Sequence, residues 1–158
     1  MNKKLGKTLR FIVFILAFLG LGVYGLAVPW ALMSFVEAYP EFSYFFAPWL
    51  IFISLTAVPM YAILYFGLKV GKEIENDNSF TKQNVKSLKG VSFCLIIDAV
   101  FFFIGNISLW LFNMNFLGVV AAATFLCAFI VCIAAALKIL AALVDKAVAM
   151  REENESYI

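Results

Sequence analysis

Histidine is absent from the 158 residues. No imidazole is available to act as a base, hold a metal or complete a Ser-His or Cys-His pair. The three cysteines, Cys94, Cys127 and Cys132, lie inside apolar runs, and none forms a C-x-x-C pair. Neither a zinc site nor a thioredoxin-like centre is indicated, and the cysteines read as small apolar helix residues. Charge is scarce as well. Only 14% of residues are charged and 65% are hydrophobic, against about 25% and about 45–50% in soluble domains. The net charge of +2 is too small to argue for direct nucleic-acid binding. Paired carboxylates within the apolar runs are missing, as is a nucleophile with a base beside it. The sequence therefore predicts a non-enzymatic protein with no catalytic residue, metal or cofactor.

What is present is apolar sequence in long blocks. A soluble chain of this length buries only about two thirds of its surface, so the excess must face lipid. After a basic start (Lys3, Lys4, Lys7, Arg10), Phe11 to Val36 is a run of 26 uncharged residues. A signal-peptide core is only about 7–15 residues long, so this run predicts a retained first span. A loop over Glu37 to Ala47 follows, with the next helix starting near Pro48, where a first-turn proline is tolerated. Pro59 falls inside that helix and should kink it, with Thr56 or a neighbouring helix satisfying the freed carbonyl. Between Asp98 and Lys138 there are 39 uncharged residues. As one helix they would measure about 59 Å, nearly twice a bilayer core of about 30 Å. The run must turn, and Asn113-Met114-Asn115 is the place, because asparagine suits turns.

The expectation is an all-α fold, a single domain over residues 1–158, with four transmembrane helices in an antiparallel bundle. Their spans are about 10–36, 48–70, 90–112 and 116–144. A cytoplasmic helical hairpin loop covers 71–89, and a polar tail over 145–158 continues as helix before fraying. All twelve lysines and arginines fall in the N-terminal segment, the middle loop and the C-terminal part. The positive-inside rule then puts both termini and the middle loop in the cytoplasm. Trp30, Trp49 and Trp110 fall at the opposite helix ends, where interfacial belts favour tryptophan. The chain is thus expected as a multi-pass membrane protein with both termini in the cytoplasm and the lipid bilayer as its first partner.

Few polar residues lie in the spans. Asp98, in the third, is the one acid there, and a carboxylate at that depth is by default a functional candidate. Three roles are open to it: bonding to Asn, Ser, Thr or water in the bundle, pairing with Lys138, or relaying a proton or ion. A hairpin centred near Met114 sets Asp98 level with about Ile130, one to two turns from Lys138. Asn106 lies near the same face as Asp98 and reads as interhelical glue. Ala128, Cys132 and Ala136, at four-residue spacing, read as a packing stripe. Gly20 to Gly25 has the spacing of a dinucleotide loop, but it lies in a span with no strand before it and is rejected.

The middle loop has local structure. Asn76-Asp77-Asn78-Ser79 is a turn cluster. Thr81 can cap a helix starting at Lys82, with Phe80 and Val85 at the two positions of a hydrophobic staple. The loop lysines either lie near anionic headgroups or form a docking surface. The candidate surface comprises Phe80, Thr81, Lys82, Asn84, Val85, Lys86, Leu88 and Lys89.

The run Asn78-Ser79-Phe80-Thr81-Lys82-Gln83-Asn84-Val85-Lys86-Ser87-Leu88, between the second and third of four helices, resembles the signature of a bacterial family. That family is domain of unknown function 2975, the YoaS-like small membrane proteins, with a polar-Pro-Phe-(Ser/Thr)-x-x-Asn-x-x-(Arg/Lys)-(Leu/Ile) pattern. Here Ser79 replaces the proline, and Ser87 holds the basic position, with Lys86 beside it. The resemblance implies a membrane protein encoded beside a small helix-turn-helix regulator. It carries over no catalytic residue.

Together these features predict a membrane-bound regulator or adaptor. Its Lys72–Lys89 hairpin would dock a cytoplasmic partner such as a small helix-turn-helix transcription factor. The alternative is a subunit of a homo-oligomeric channel or carrier for an ion or small molecule, using Asp98.

Overall fold

A computed structural model describes residues 2–157. It is all-α, with four long apolar helices able to cross a membrane. The first span consists of α1 (Asn2–Gly22), a π-helical turn (Val23–Ala27) and α2 (Val28–Ala38). The widened turn immediately precedes Pro29, at the first turn of α2. Proline lacks an N–H and its ring crowds the carbonyl four residues back, and a π-bulge absorbs that mismatch without breaking the rod. A 3₁₀ segment, Pro40–Phe45, leads into α3 (Phe46–Glu75). Then come α4 (Lys82–Leu111) and α5 (Leu117–Ser156).

The helices outrun the expected spans. The first begins at Asn2 rather than near residue 10, and α5, which continues as helix into the tail as expected, has 40 residues, about 60 Å at the helical rise. Lysine, glutamate and alanine propagate a helix as well as leucine does, so polar sequence at the span ends stays helical. Ile158, the end of the expected polar tail, lies outside the described residues.

The turns after α3 and after α4 each close on a Schellman cap. After α3, the Asn78 amide donates to Glu73 O at 2.9 Å and the Asp77 amide to Ile74 O at 3.1 Å. After α4, the Met114 amide donates to Leu109 O at 2.8 Å and the Asn113 amide to Trp110 O at 3.0 Å. The caps put Asp77 at φ 59° and Asn113 at φ 57°, a conformation that Asp and Asn tolerate better than other side chains.

Neighbouring spans pack antiparallel: α1 on α3, α3 on α4, α4 on α5. Among the described residues α1 approaches neither α4 nor α5. The arrangement is an open row rather than a closed bundle. Lipid tails are as apolar as leucine, so helices associate only where their surfaces interlock, and among the described residues α1 shares no such surface with α5. Outward faces carry residues such as Phe18 and Phe125, the latter 79% exposed in the isolated chain, and these faces meet lipid.

The α4–α5 contact follows a seven-residue repeat. Val85, Ser92, Ala99 and Asn106 of α4 are buried, as are Cys127, Ala134, Ala141 and Val148 of α5. A period of seven keeps one seam in contact as two helices wind left-handedly. Ser92 Oγ donates to Ala134 O at 2.7 Å, and Cys127 Sγ to Ala99 O at 3.4 Å. The expected stripe of Ala128, Cys132 and Ala136 points outward and is exposed. The seven-residue set out-competes the four-residue one because it stays on one line over the whole helix.

Thr56 also departs from expectation. Its hydroxyl donates to Ile53 O at 2.7 Å and does not close the carbonyl opposite Pro59. With that proton committed, Tyr24, 3.0 Å away in the π turn, must be the donor to Thr56 Oγ1.

Candidate functional site

The middle loop is built around Asn84. Thr81 adopts the extended geometry of an N-cap, and its Oγ1 accepts from the Asn84 amide at 3.3 Å. The Asn84 side chain reaches back and donates through Nδ2 to Asn78 O at 3.2 Å and Ser79 O at 2.9 Å. Asn84 is therefore a clasp that pins the loop onto the first turn of α4, and it is only 3% exposed. Val85 is buried as well, in the α4–α5 seam. This corrects the expected docking surface: Asn84 and Val85 are internal, and Ser87 beside them is buried too.

What stays outside is Phe80, 54% exposed, with Lys82, Lys86 and Lys89. Thr81 and Leu88 are half-buried. Phe80 stands on the lip of a groove of about 450 Å³ between the loop and the end of α5. Thr81, Lys82 and Gln83 form one wall, and Val148, Arg151 and Glu152 the other. Lys82 Nζ lies 2.9 Å from Glu152 Oε1. The hydrogen bond to Glu152, then its charge, raises the Lys82 pKa above the ordinary lysine value. Lys89 Nζ is 3.9 Å from Asp145 Oδ2, a looser pair. Lys82 and Lys89 are seven residues apart, as are Asp145 and Glu152. That shared spacing was the sequence signal that the tail of α5 forms part of this surface.

The three intramembrane polar residues do not form one site. Asn106 is 1% exposed. Its Oδ1 accepts from Asn115 Nδ2 at 3.0 Å, and its own Nδ2 donates to Phe102 O at 2.9 Å. It ties the α4–α5 turn to α4. Trp49 Nε1 anchors the same turn from α3 by donating to Met114 O at 2.7 Å. Asp98 and Lys138 remain apart. The register set by the Ser92–Ala134 and Ala99–Cys127 bonds puts Asp98 level with Ala128 and Lys138 level with Leu88. Their charged groups do not come within 4.0 Å of each other. Asp98 Oδ1 is buried and has no hydrogen-bond partner. Among the described residues, no three of His, Cys, Asp and Glu come together as a metal site would require.

The family described as "Protein of unknown function (DUF2975)" matches residues 30–158, and the chain belongs to it. One relative is the "Uncharacterized membrane protein YoaS" of Bacillus subtilis (strain 168), 28% identical over 69 residues. That alignment covers 44% of this chain and 43% of the relative, so the match spans less than half of either. No solved structure is significantly similar. The chain is a multi-pass membrane protein, and its relative is a bacterial one.

Proposed function

We propose that this member of the DUF2975 family is a non-enzymatic regulator or adaptor of the bacterial cytoplasmic membrane that docks a soluble partner. A small helix-turn-helix transcription factor is the partner class we favour. The observation that carries this is the groove beside Phe80. A large aromatic is held half-exposed on a loop that Asn84 and Thr81 fix in place. A rigid aromatic at a groove edge loses little entropy on binding, which is why such residues dominate interfaces. The orientation rests on charge: all twelve lysines and arginines lie toward the end that carries both termini, which the positive-inside rule assigns to the cytoplasm.

The surface consists of Phe80, Lys82, Gln83 and Lys86, with Arg151 and Glu152 from α5, rather than the loop alone. Affinity purification of the intact protein in mild detergent, with mass spectrometry of what co-elutes, tests it. A stoichiometric helix-turn-helix protein is expected, and its loss in Phe80→Ala and Lys86→Glu. Full retention in both variants removes this surface from consideration.

Asp98 supports a second function, as the polar centre of a homo-oligomeric channel or carrier. Its unpartnered, buried Oδ1 favours that role. An open row of four helices encloses no pathway, so copies would have to associate. Liposome flux that is unchanged in Asp98→Asn would eliminate it.

A further inference from the structure

A second feature lies at the same end of the row, outside the loop groove. Lys89 of α4 and Lys138 of α5 line one cavity of about 310 Å³, walled otherwise by Ser92, Phe93 and Ile96. Both lysines lie at the same depth. Lys138 is 21 residues beyond Leu117, where α5 starts, and Lys89 is 22 residues before Leu111, where α4 ends. These separations are about 32 and 33 Å, against a hydrocarbon core of about 30 Å. With the Leu111–Leu117 turn at one hydrocarbon boundary, both ammonium groups stand at the other, where hydrocarbon gives way to phosphate.

The ladder of ion pairs shows why this place is cationic. Residues 145 and 152 of α5 pair with residues 89 and 82 of α4, and one seven-residue step further in, residue 138 of α5 and residue 96 of α4 line the same cavity. At the two outer rungs a lysine on α4 meets an acid on α5. At the third, α5 supplies Lys138 and α4 supplies Ile96. Among the described residues no acid comes within 4.0 Å of Lys138. Lys89 is only loosely held, 3.9 Å from Asp145. Two ammonium groups thus share one cavity with a single distant carboxylate. Phe93, 64% exposed, and Ile96 place apolar surface directly beside them.

We propose that Lys89 and Lys138 bind the phosphate of an anionic phospholipid, whose acyl chain lies along Phe93 and Ile96. Ammonium groups are point-charge donors suited to phosphate, and basic pockets between transmembrane helices take anionic headgroups. The Ser92 hydroxyl is committed to Ala134 O and serves as wall, not ligand. The lipid supplies the negative charge missing from the third rung and joins α4 to α5 there.

The test is native mass spectrometry of the full-length protein in detergent, equilibrated with phosphatidylglycerol and phosphatidylcholine of identical chains. The expected preference for phosphatidylglycerol is about tenfold, from roughly 1 kcal/mol per lysine less the opposing carboxylate. It should fall to near parity in Lys89→Gln/Lys138→Gln, survive in Lys3→Gln/Lys4→Gln, and rise in Asp145→Asn. An unchanged preference in the Lys89/Lys138 variant overturns the site, and so does an equal loss in the Lys3/Lys4 variant. Circular dichroism separates loss of binding from loss of fold, and if the double variant unfolds, the single Lys138→Gln and Asp145→Asn decide. Displacement of the lipid by excess inorganic phosphate would assign the cavity to a free anion and overturn the lipid assignment.

Discussion

The two ends of the helix row are held by different means. Between α1 and α3 the contact is made at points. A Cβ at Gly6 would lie 2.5 Å from the Glu75 nitrogen and 2.6 Å from the Gly71 carbonyl oxygen, so two backbones touch there. Further along, Tyr61 donates to Ala17 O at 3.0 Å beside Gly20, and Tyr24 meets Thr56. Arg10 pairs with Glu75 at 2.9 Å across the Gly6–Gly71 crossing. Between α4 and α5 the contact is a continuous seam with a seven-residue period. Point contacts concentrate the interaction in a few irreplaceable glycines, whereas a seam spreads it over many small residues. Each is an answer to a solvent that gives helices no hydrophobic reason to associate.

The largest effect should come from the point contact. Gly6→Ala puts a methyl against backbone, which cannot rotate away, and should destabilise the α1–α3 pair by about 3 kcal/mol. Unfolding in micelles of increasing SDS content measures it. A cost under about 1 kcal/mol would mean that α1 can slide along α3 and that the crossing is not fixed by Gly6 and Gly71. The seam should respond less to any one change. Ala134 is 0% exposed, so Ala134→Leu overpacks it at about 2 kcal/mol. Ala136→Leu, on the lipid face, should stay within about 0.5 kcal/mol. Equal costs at the two positions would place the contact on the four-residue stripe instead of the seam.

Asn84→Ala sharpens the comparison from the loop. The clasp holds the first turn of α4 where Val85 can enter the seam. Losing it removes two hydrogen bonds and leaves two loop carbonyls to find water, a local cost of about 1–2 kcal/mol. Amide hydrogen exchange should speed up over residues 78–88 and leave α1 and α3 unchanged. Faster exchange in α1 would show that the two ends of the row are coupled, contrary to the open arrangement.

Much of this was legible in advance because charge in lipid is so costly. The length of uncharged sequence between Asp98 and Lys138 compels a turn, and Asn113 forms it. Thr81 before Lys82 announces a cap. The open row was not legible, because nothing in one apolar helix says which of its faces meets protein and which meets lipid. The outward stripe of Ala128, Cys132 and Ala136 is chemically as good a packing surface as the seam. Asn84 misled for another reason. A polar residue in a polar loop reads as exposed, but its amide is spent on two backbone carbonyls that only the folded turn brings together. That Asp98 is the one acid in the spans is plain from the sequence, but whether it meets Lys138 depends on side-chain packing across the seam that one helix's sequence does not specify.

The smallest effect belongs to the outermost rung of the ladder. The pKa of Lys82 is raised, chiefly by its hydrogen bond to Glu152 and then by that residue's charge. A lysine raised on folding contributes stability that is fully present below its unfolded pKa and is lost as pH rises through the folded value. The rung is therefore intact throughout the neutral range, and its contribution fades only above the ordinary lysine pKa of about 10.4. Both side chains are largely exposed, so salt should weaken the pair too. NMR titration of the Lys82 amine is the measurement, with Glu152→Gln as the comparison. The midpoint should fall in that variant, with hydrogen exchange rising only over the last turns of α5. A midpoint that does not move would mean that the ladder ends at Lys89 and Asp145, leaving the groove beside Phe80 open on its α5 side.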